Sequence, residues 1–436
     1  GPDAVRWAGA LAATLGLEGG VDPGRVRAVL AGAHPLSGVR LRSDRSTVAG
    51  FDLTFSAPKS VSVLYGLGGE GIAREVLAAH HEGVDGAVRY LEQHALTARR
   101  QRGDERLLVP TSGFVGASFT HGVSRGWDPH VHTHVVVANL VHADDGRWSC
   151  PDARGLRAHC AAASAAYDAH VRAGLGRRLG VHWEPRPGGR AELGGVDQAL
   201  LGAFSTRAAA IKVHLAERGL QSPRAARVAW AVTRPAKEHS LPDYGELGAL
   251  WRDKTHSLGV DAADVVHDVT HRRRPVYGPA LDEHRYGSAL WASADGAARR
   301  RDVVAAFGAA AVPGADVGVL ERLTDLWVPP SGAGTGSGVR EPALALRSVM
   351  PSPGVLRTLG PRPIDPQGHH VWKSAANTVE QYCTRWRVDD ALSLRTLHSL
   401  PTAQLVDHLR MTRAVDEARA RLGRATLQVM ELDRGR

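Results

Sequence analysis

The sequence predicts an α+β fold, with antiparallel strands gathered early and helices late. Three observations carry this reading. Short runs rich in β-branched and aromatic residues, at 48–55, 114–120 and 135–141, have strand character. Stretches with apolar residues three and four apart, at 72–99, 156–179, 204–218, 224–239 and 244–258, have helical character. The two kinds do not alternate as they would around a parallel βαβ sheet.

Residues 4–17 and 22–32 carry helix-like spacing, the second opened by Asp22-Pro23 as N-cap and N1. A basic connection from Arg40 to Arg45 leads to the strand Val48–Phe55, which places Asp52, Thr54 and Ser56 on one face and Phe51, Leu53 and Phe55 on the other. Ser56-Ala57-Pro58-Lys59-Ser60 closes it. From Ile72 to Arg99 the positions Ile72, Val76, Ala79, Gly83, Ala87, Leu91 and Ala95 describe one long amphipathic helix. Its histidines, His80, His81 and His94, are expected on the solvated surface. Tyr65, Tyr90 and Tyr167 are expected to pack in the core.

Two further strands are joined by residues 122–130, rich in Gly, Ser, Asp and Pro, and end at the turn signal Asp144-Asp145-Gly146-Arg147. Beyond His271, Arg272-Arg273-Arg274-Pro275 marks a boundary. A capped helix is expected over 293–310, a Gly/Ser-rich linker near 329–345, and helices over 368–386 and 402–422. The expected organisation is a domain over 1–271, a helical extension over 272–328, the linker over 329–345 and a mostly helical tail over 346–436.

No apolar run among the 436 residues approaches the roughly 20 needed to span a bilayer, and no signal-peptide pattern opens the chain. The three cysteines, Cys150, Cys160 and Cys383, form no CxxC pair, which excludes a disulfide scaffold and a Cys-type zinc finger and fits a reducing cytoplasm. A net charge of +9, carried mostly by arginine, admits a polyanionic partner.

The chemistry concentrates in Asp128-Pro129-His130-Val131-His132-Thr133-His134, which runs into the apolar Val135–Val141. In a strand, His132 and His134 project from one face about 7 Å apart, close enough to share a metal ion. His121 ends the preceding strand. If 122–130 is a hairpin connection, antiparallel pairing brings His121 opposite the pair. Three imidazoles with positions left open for substrate are the catalytic pattern, not the structural one. Asp52, a strand acid in need of a partner, suits a ligating histidine that must donate its second ring N–H. His130 is expected at the surface or on DNA.

Phe51-Asp52-Leu53-Thr54-Phe55-Ser56-Ala57-Pro58-Lys59-Ser60-Val61-Ser62, with His121, Ser124-Arg125 and Asp128-Pro129-x-x-His132-Thr133-His134, resembles the MobF class of conjugative relaxases, the TrwC/TraI-like HUH endonucleases. The similarity covers about residues 1–270 and is of the actinobacterial type. It implies a palm with a central antiparallel sheet and helical fingers closing over single-stranded DNA. It also implies a divalent metal (Mg²⁺, Mn²⁺ or Zn²⁺) on His121, His132 and His134 that polarises a scissile phosphate, with attack by a tyrosine. Asp52 matches the family's carboxylate, and Lys59 and Arg125 are implied phosphate contacts. The implied activity is site- and strand-specific nicking and strand transfer at a plasmid transfer origin. The implied partners are that single strand, relaxosome accessory proteins and a coupling protein.

Two departures stand out. The family's nucleophilic tyrosines fall upstream of the segment aligned with Gly1–Trp7, and Tyr65, the first tyrosine present, follows the Asp52 motif. No GxxxxGK[ST] occurs, so the helicase usual after such a domain is not expected. The reading is a shortened relaxase, with a nicking-incompetent single-stranded-DNA-binding remnant or regulator as the alternative.

Overall fold

In the computed structural model, Gly9 adopts φ 91°, and a Cβ there would stand 2.3 Å from the Phe114 carbonyl oxygen. Only glycine lets the chain turn so close to its neighbour. That turn separates β1 (Val5–Ala8) from the short α1 (Leu11–Thr14), where the periodicity of 4–17 predicts a single helix. The correction has a physical cause. The backbone of Val5–Ala8 pairs antiparallel with a later strand, while Leu11, Leu15 and Leu17, which generate the helical spacing, are buried with Val29 and Leu140. Tertiary pairing overrides local pattern.

The structure describes residues 5–42, 46–186, 190–233, 243–271, 298–328, 343–344 and 406–418, with scattered positions between 375 and 385. The chain divides into two units, residues 1–281 with 299–342 and residues 282–298 with 343–436. The expected Arg272–Arg274 boundary and the 329–345 linker lie outside the described residues, apart from 343–344. The expected tail helices are described only in part. In the second unit 406–418 is helical, with Met411, Val415 and Ala418 buried.

Along the first unit, α2 (Pro23–Leu30) is capped by the Asp22 carboxylate, which accepts from Arg25 N at 2.8 Å. Then follow β2 (Gly50–Ser56), α3 (Lys59–Leu67) and α4 (Gly69–His94). The long helix expected to reach Arg99 stops at His94, and an unforeseen hairpin follows, β3 (Thr97–Arg102) and β4 (Glu105–Pro110). Gly103, at φ 61°, lies in its tight turn. Arginines that decorate a helix in a helical reading here occupy an exposed ribbon.

Next come β5 (Gly116–Val123), β6 (Pro129–Ala138), and the two-residue strands β7 (Val141–His142) and β8 (Trp148–Ser149) around the predicted turn. Helix α5 (Ala153–Leu179), capped by Asp152, precedes a second unforeseen hairpin, β9 (Trp183–Arg186) and β10 (Arg190–Leu193). Helices α6 (Gln198–Ala203), α7 (Thr206–Ala216), α8 (Pro223–Val232), α9 (Tyr244–Ser257) and α10 (Ala262–His271) follow, then α11 (Arg300–Ala310) and α12 (Val317–Trp327). The mixed α+β content, with its antiparallel sheet, is the fold class the sequence predicts.

The central sheet runs β1-β5-β6-β2, antiparallel throughout. Side chains alternate across it. On β6, Val131, Thr133, Val135 and Val137 are buried, whereas His130, His132, His134 and Val136 reach the open face. The closed face is covered by α4 and α5, where the Phe55 ring lies 5.4 Å from that of Tyr167. His80, expected at the surface, is fully buried there. Its Nδ1 pairs with the Tyr167 hydroxyl at 2.7 Å and its Nε2 with Thr133 Oγ1 at 2.7 Å. Thr133 and Thr120 hydroxyls share a 2.9 Å hydrogen bond, and Thr120 meets His81 Nε2 at 3.0 Å. Burial pushes the His80 pKa down to about 3. His94, also expected on the solvated surface, is half-buried and pairs with Glu321 on α12 at 2.8 Å. Tyr65, Tyr90 and Tyr167 are core residues, as expected.

Arg172, buried on α5, donates to the Gly308 carbonyl at 2.6 Å and the Ala311 carbonyl at 3.2 Å, tying α5 to the end of α11. Among the described residues no helix is long and apolar enough to cross a membrane.

Candidate functional site

The open face of the sheet gathers the predicted residues. The β5–β6 register sets His121 opposite His132, and the β2–β6 register sets Thr54 opposite His134 and Ser56 opposite His132. The expected hairpin therefore forms, and three imidazoles from two strands share one patch. Their ring centroids are separated by 5.3 Å (His121–His132), 5.3 Å (His132–His134) and 6.0 Å (His121–His134).

Two of the three rings are oriented through Nδ1. His134 Nδ1 faces both Asp52 carboxylate oxygens, at 3.0 and 2.9 Å, and Thr54 Oγ1 at 3.1 Å. Thr54 Oγ1 in turn donates to Asp52 Oδ1 at 3.2 Å. His132 Nδ1 donates to the His130 carbonyl at 2.9 Å. A ring that donates through Nδ1 keeps the Nε2 lone pair for an electrophile. Burial lowers the His132 pKa to about 4, so that lone pair is present at neutral pH.

His130, expected at the surface or on DNA, does not lie on the exposed surface. It is half-buried and stacks on His132, with centroids 4.5 Å apart and planes 25° apart, and burial lowers its pKa to about 3. The period-2 phase it shares with His132 and His134 is the sequence signal for this. Lys59, at the start of α3, is half-buried and donates to the Pro129 carbonyl at 3.1 Å. Burial lowers its pKa, against the opposing pull of Asp128 and Glu192. Arg125 is exposed in the β5–β6 turn.

Asp128 falls within the family motif without an assigned role, yet it is almost fully buried and engages α7 and α9. Only its place before Pro129 hints at a fixed turn.

An ion bound tetrahedrally by imidazole nitrogens at about 2.0–2.1 Å sets ring centroids roughly 5 Å apart, so the spacing of the trio and its nitrogen donors suit a divalent cation. Among the described residues no group of His, Cys, Asp and Glu already stands in an arrangement that holds an ion. Capture therefore requires the rings to turn inward about their side-chain torsions. The spacing carries more weight here, because rings rotate readily while strand register does not.

The site is thus an antiparallel sheet with an open, three-histidine face and a carboxylate behind one ring. A family model described as TrwC relaxase matches residues 1–258. Over 291 residues the chain is 34% identical to the multifunctional conjugation protein TraI of Escherichia coli, an alignment covering 64% of this chain and 16% of that protein. The conjugative relaxase TrwC, solved in complex with oriT DNA, is similar in its metal-free form at a TM-score of 0.54 and 31% identity, covering 59% of this chain and 92% of that one. Its metal-bound form matches at a TM-score of 0.54 and 31% identity, covering 60% and 90%. The chain belongs to the TrwC relaxase family. It spans 16% of the length of the curated TraI relative.

Proposed function

We propose that this chain is the DNA-handling part of a conjugative relaxase, a metal-dependent, site- and strand-specific endonuclease and strand transferase acting on single-stranded DNA at a plasmid transfer origin. The observation that carries the reading is the set of His121, His132 and His134 rings on one open sheet face, two of them oriented through Nδ1. These three side chains would hold the divalent ion, and imidazole donors favour Zn²⁺ or another soft transition metal over Mg²⁺. When bound, it would neutralise charge developing on the scissile phosphate. TrwC has been solved with metal bound and with oriT DNA, which supports both the ion and the strand as ligands here.

The chain's own groups have separable roles. Asp52 holds His134 in one tautomer and orientation and stabilises positive charge on that ring. Lys59 and Arg125 contact backbone phosphates flanking the scissile bond. A tyrosine hydroxyl is the proposed nucleophile, its attack on the phosphate expelling the 3′-hydroxyl of the nicked strand. It would leave a phosphotyrosyl link that conserves the phosphodiester energy for religation. The register sets the first described residue in line with the histidine strands. Val5, the N-terminal end of β1, lies opposite Phe119, which lies opposite His134. Similarity throughout residues 1–258 favours this enzyme over a nicking-incompetent remnant. Action in the cytoplasm, alongside relaxosome accessory proteins and a coupling protein, completes the proposal.

The test is binding of single-stranded origin oligonucleotides by fluorescence anisotropy across salt concentrations. It is joined to denaturing-gel detection of a covalent adduct between protein and strand in the presence of Mn²⁺ or Mg²⁺. Salt-sensitive binding and a metal-dependent adduct are expected. Failure of every candidate origin strand to bind at low salt sinks the reading.

A further inference from the structure

The turn that links His121 to the His132 strand is gripped by helices from far along the sequence. Asp128 is 2% exposed, and its carboxylate accepts from Thr206 N at 2.9 Å, Thr206 Oγ1 at 3.0 Å and Lys254 Nζ at 3.1 Å. Thr206 is the first residue of α7, whose N-terminal amides need an acceptor. The local N-cap, Ser205, supplies none, because its hydroxyl donates instead to the Leu201 carbonyl at 2.7 Å. The cap of α7 is therefore delivered from 78 residues away. Lys254 belongs to α9, and its ammonium also sits 4.9 Å from the Phe204 ring centroid.

The same helix holds both arms of the hairpin. Trp251 Nε1 donates to the Trp127 carbonyl at 2.6 Å, and Trp127 is held at φ 63°. On the other arm, Gly122 leaves room for the Tyr244 hydroxyl beside the residue that follows His121; a Cβ there would stand 2.8 Å from that oxygen. Among the described residues α7 buries none of its own side chains. Its direction therefore depends on how its ends are held.

We propose that Asp128 is a positioning residue that fixes α7 and α9 against the β5–β6 turn that carries the histidine strands, so that a DNA strand held by these helices is kept in line with the reacting phosphate. This rests on the relaxase reading above. Asp128 touches neither ion nor DNA. It acts through the α7 cap and Lys254.

The experiment uses the full chain with Asp128→Asn and Lys254→Met. Mn²⁺ affinity, affinity for a single-stranded origin oligonucleotide, the salt slope of that affinity, and hydrogen exchange along 206–216 are measured for each. Strand affinity is expected to fall about tenfold in both variants, as for loss of a buried charged hydrogen bond. Mn²⁺ affinity should stay within about twofold and the salt slope unchanged, since no phosphate contact is lost. Amide exchange should rise in the first turn of α7 and not in β5 or β6. Wild-type strand affinity in Asp128→Asn overturns the proposal alone. So does a parallel loss of strand and metal binding with faster exchange across the sheet, which marks a general structural role. A wild-type chain that binds Mn²⁺ but no strand overturns the relaxase reading itself, and this proposal with it.

Discussion

Asp52 and His134 meet edge-on across the β2–β6 pair, both carboxylate oxygens lying within 3.0 Å of a single ring nitrogen. The two residues sit on the open face, with side-chain exposures of 52% and 34%. An exposed pair of this kind contributes little to stability, so its value lies in orienting the ring. Asp52→Asn should fold normally and weaken Mn²⁺ or Zn²⁺ binding by about 10–100-fold, the usual cost of losing a partner behind a ligating histidine. Isothermal titration checks this. An unchanged affinity would remove Asp52 from the site.

His132→Ala and His121→Ala should each reduce metal binding far more than His130→Ala does. The first two remove members of the trio, whereas His130 lends its carbonyl, which alanine keeps. Mn²⁺ paramagnetic resonance distinguishes the cases. Equal losses in all three variants would make His130 a ligand as well.

The buried histidines make the fold sensitive to acid. His80 has a folded pKa of about 3, below the ordinary value of 6.5. Between those values the unfolded chain binds more protons than the folded one. Its contribution is therefore fully present above pH 6.5 and is lost as pH falls toward 3, by on the order of a few kcal/mol. Urea unfolding from pH 7 to 4 should show a steep loss of stability that flattens in His80→Gln. A pH-independent midpoint would contradict the burial.

Gly9→Ala should cost more than about 2 kcal/mol, because alanine at φ 91° is strained and its Cβ would overlap the Phe114 carbonyl. The damage should localise to β1 and raise amide exchange at its partners, residues 116–119. Thermal melting with hydrogen exchange provides the check.

Much of the site was legible before any coordinates. The alternation of His132 and His134, the polar loop before them and the acid at Asp52 are local patterns, and strand geometry turns them into a face. The positions that escaped depend on distant partners. His80 looks solvated on its helix because the Thr133 and Tyr167 hydroxyls that satisfy it lie 53 and 87 residues away. Asp128 looks like an ordinary turn acid until α7 and α9 arrive. The β3–β4 ribbon was hidden by charge: Thr97–Arg102 has no apolar alternation, and its strand character comes from pairing with Glu105–Pro110. The 4–17 stretch failed the opposite way, with true apolar burial but the wrong backbone.

The hydroxyl pair Thr120–Thr133 lies on the closed side of the sheet, beneath the imidazoles. If β5 slipped by one residue against β6, these hydroxyls would meet hydrocarbon, and His121 would leave His132 for a neighbour of the wrong face. The polar network under the sheet therefore works as a ruler for the face above it. Spacing among three rings on the open face is kept by atoms that never touch solvent, so a Thr133→Val change should be read first in metal affinity and only then in melting temperature.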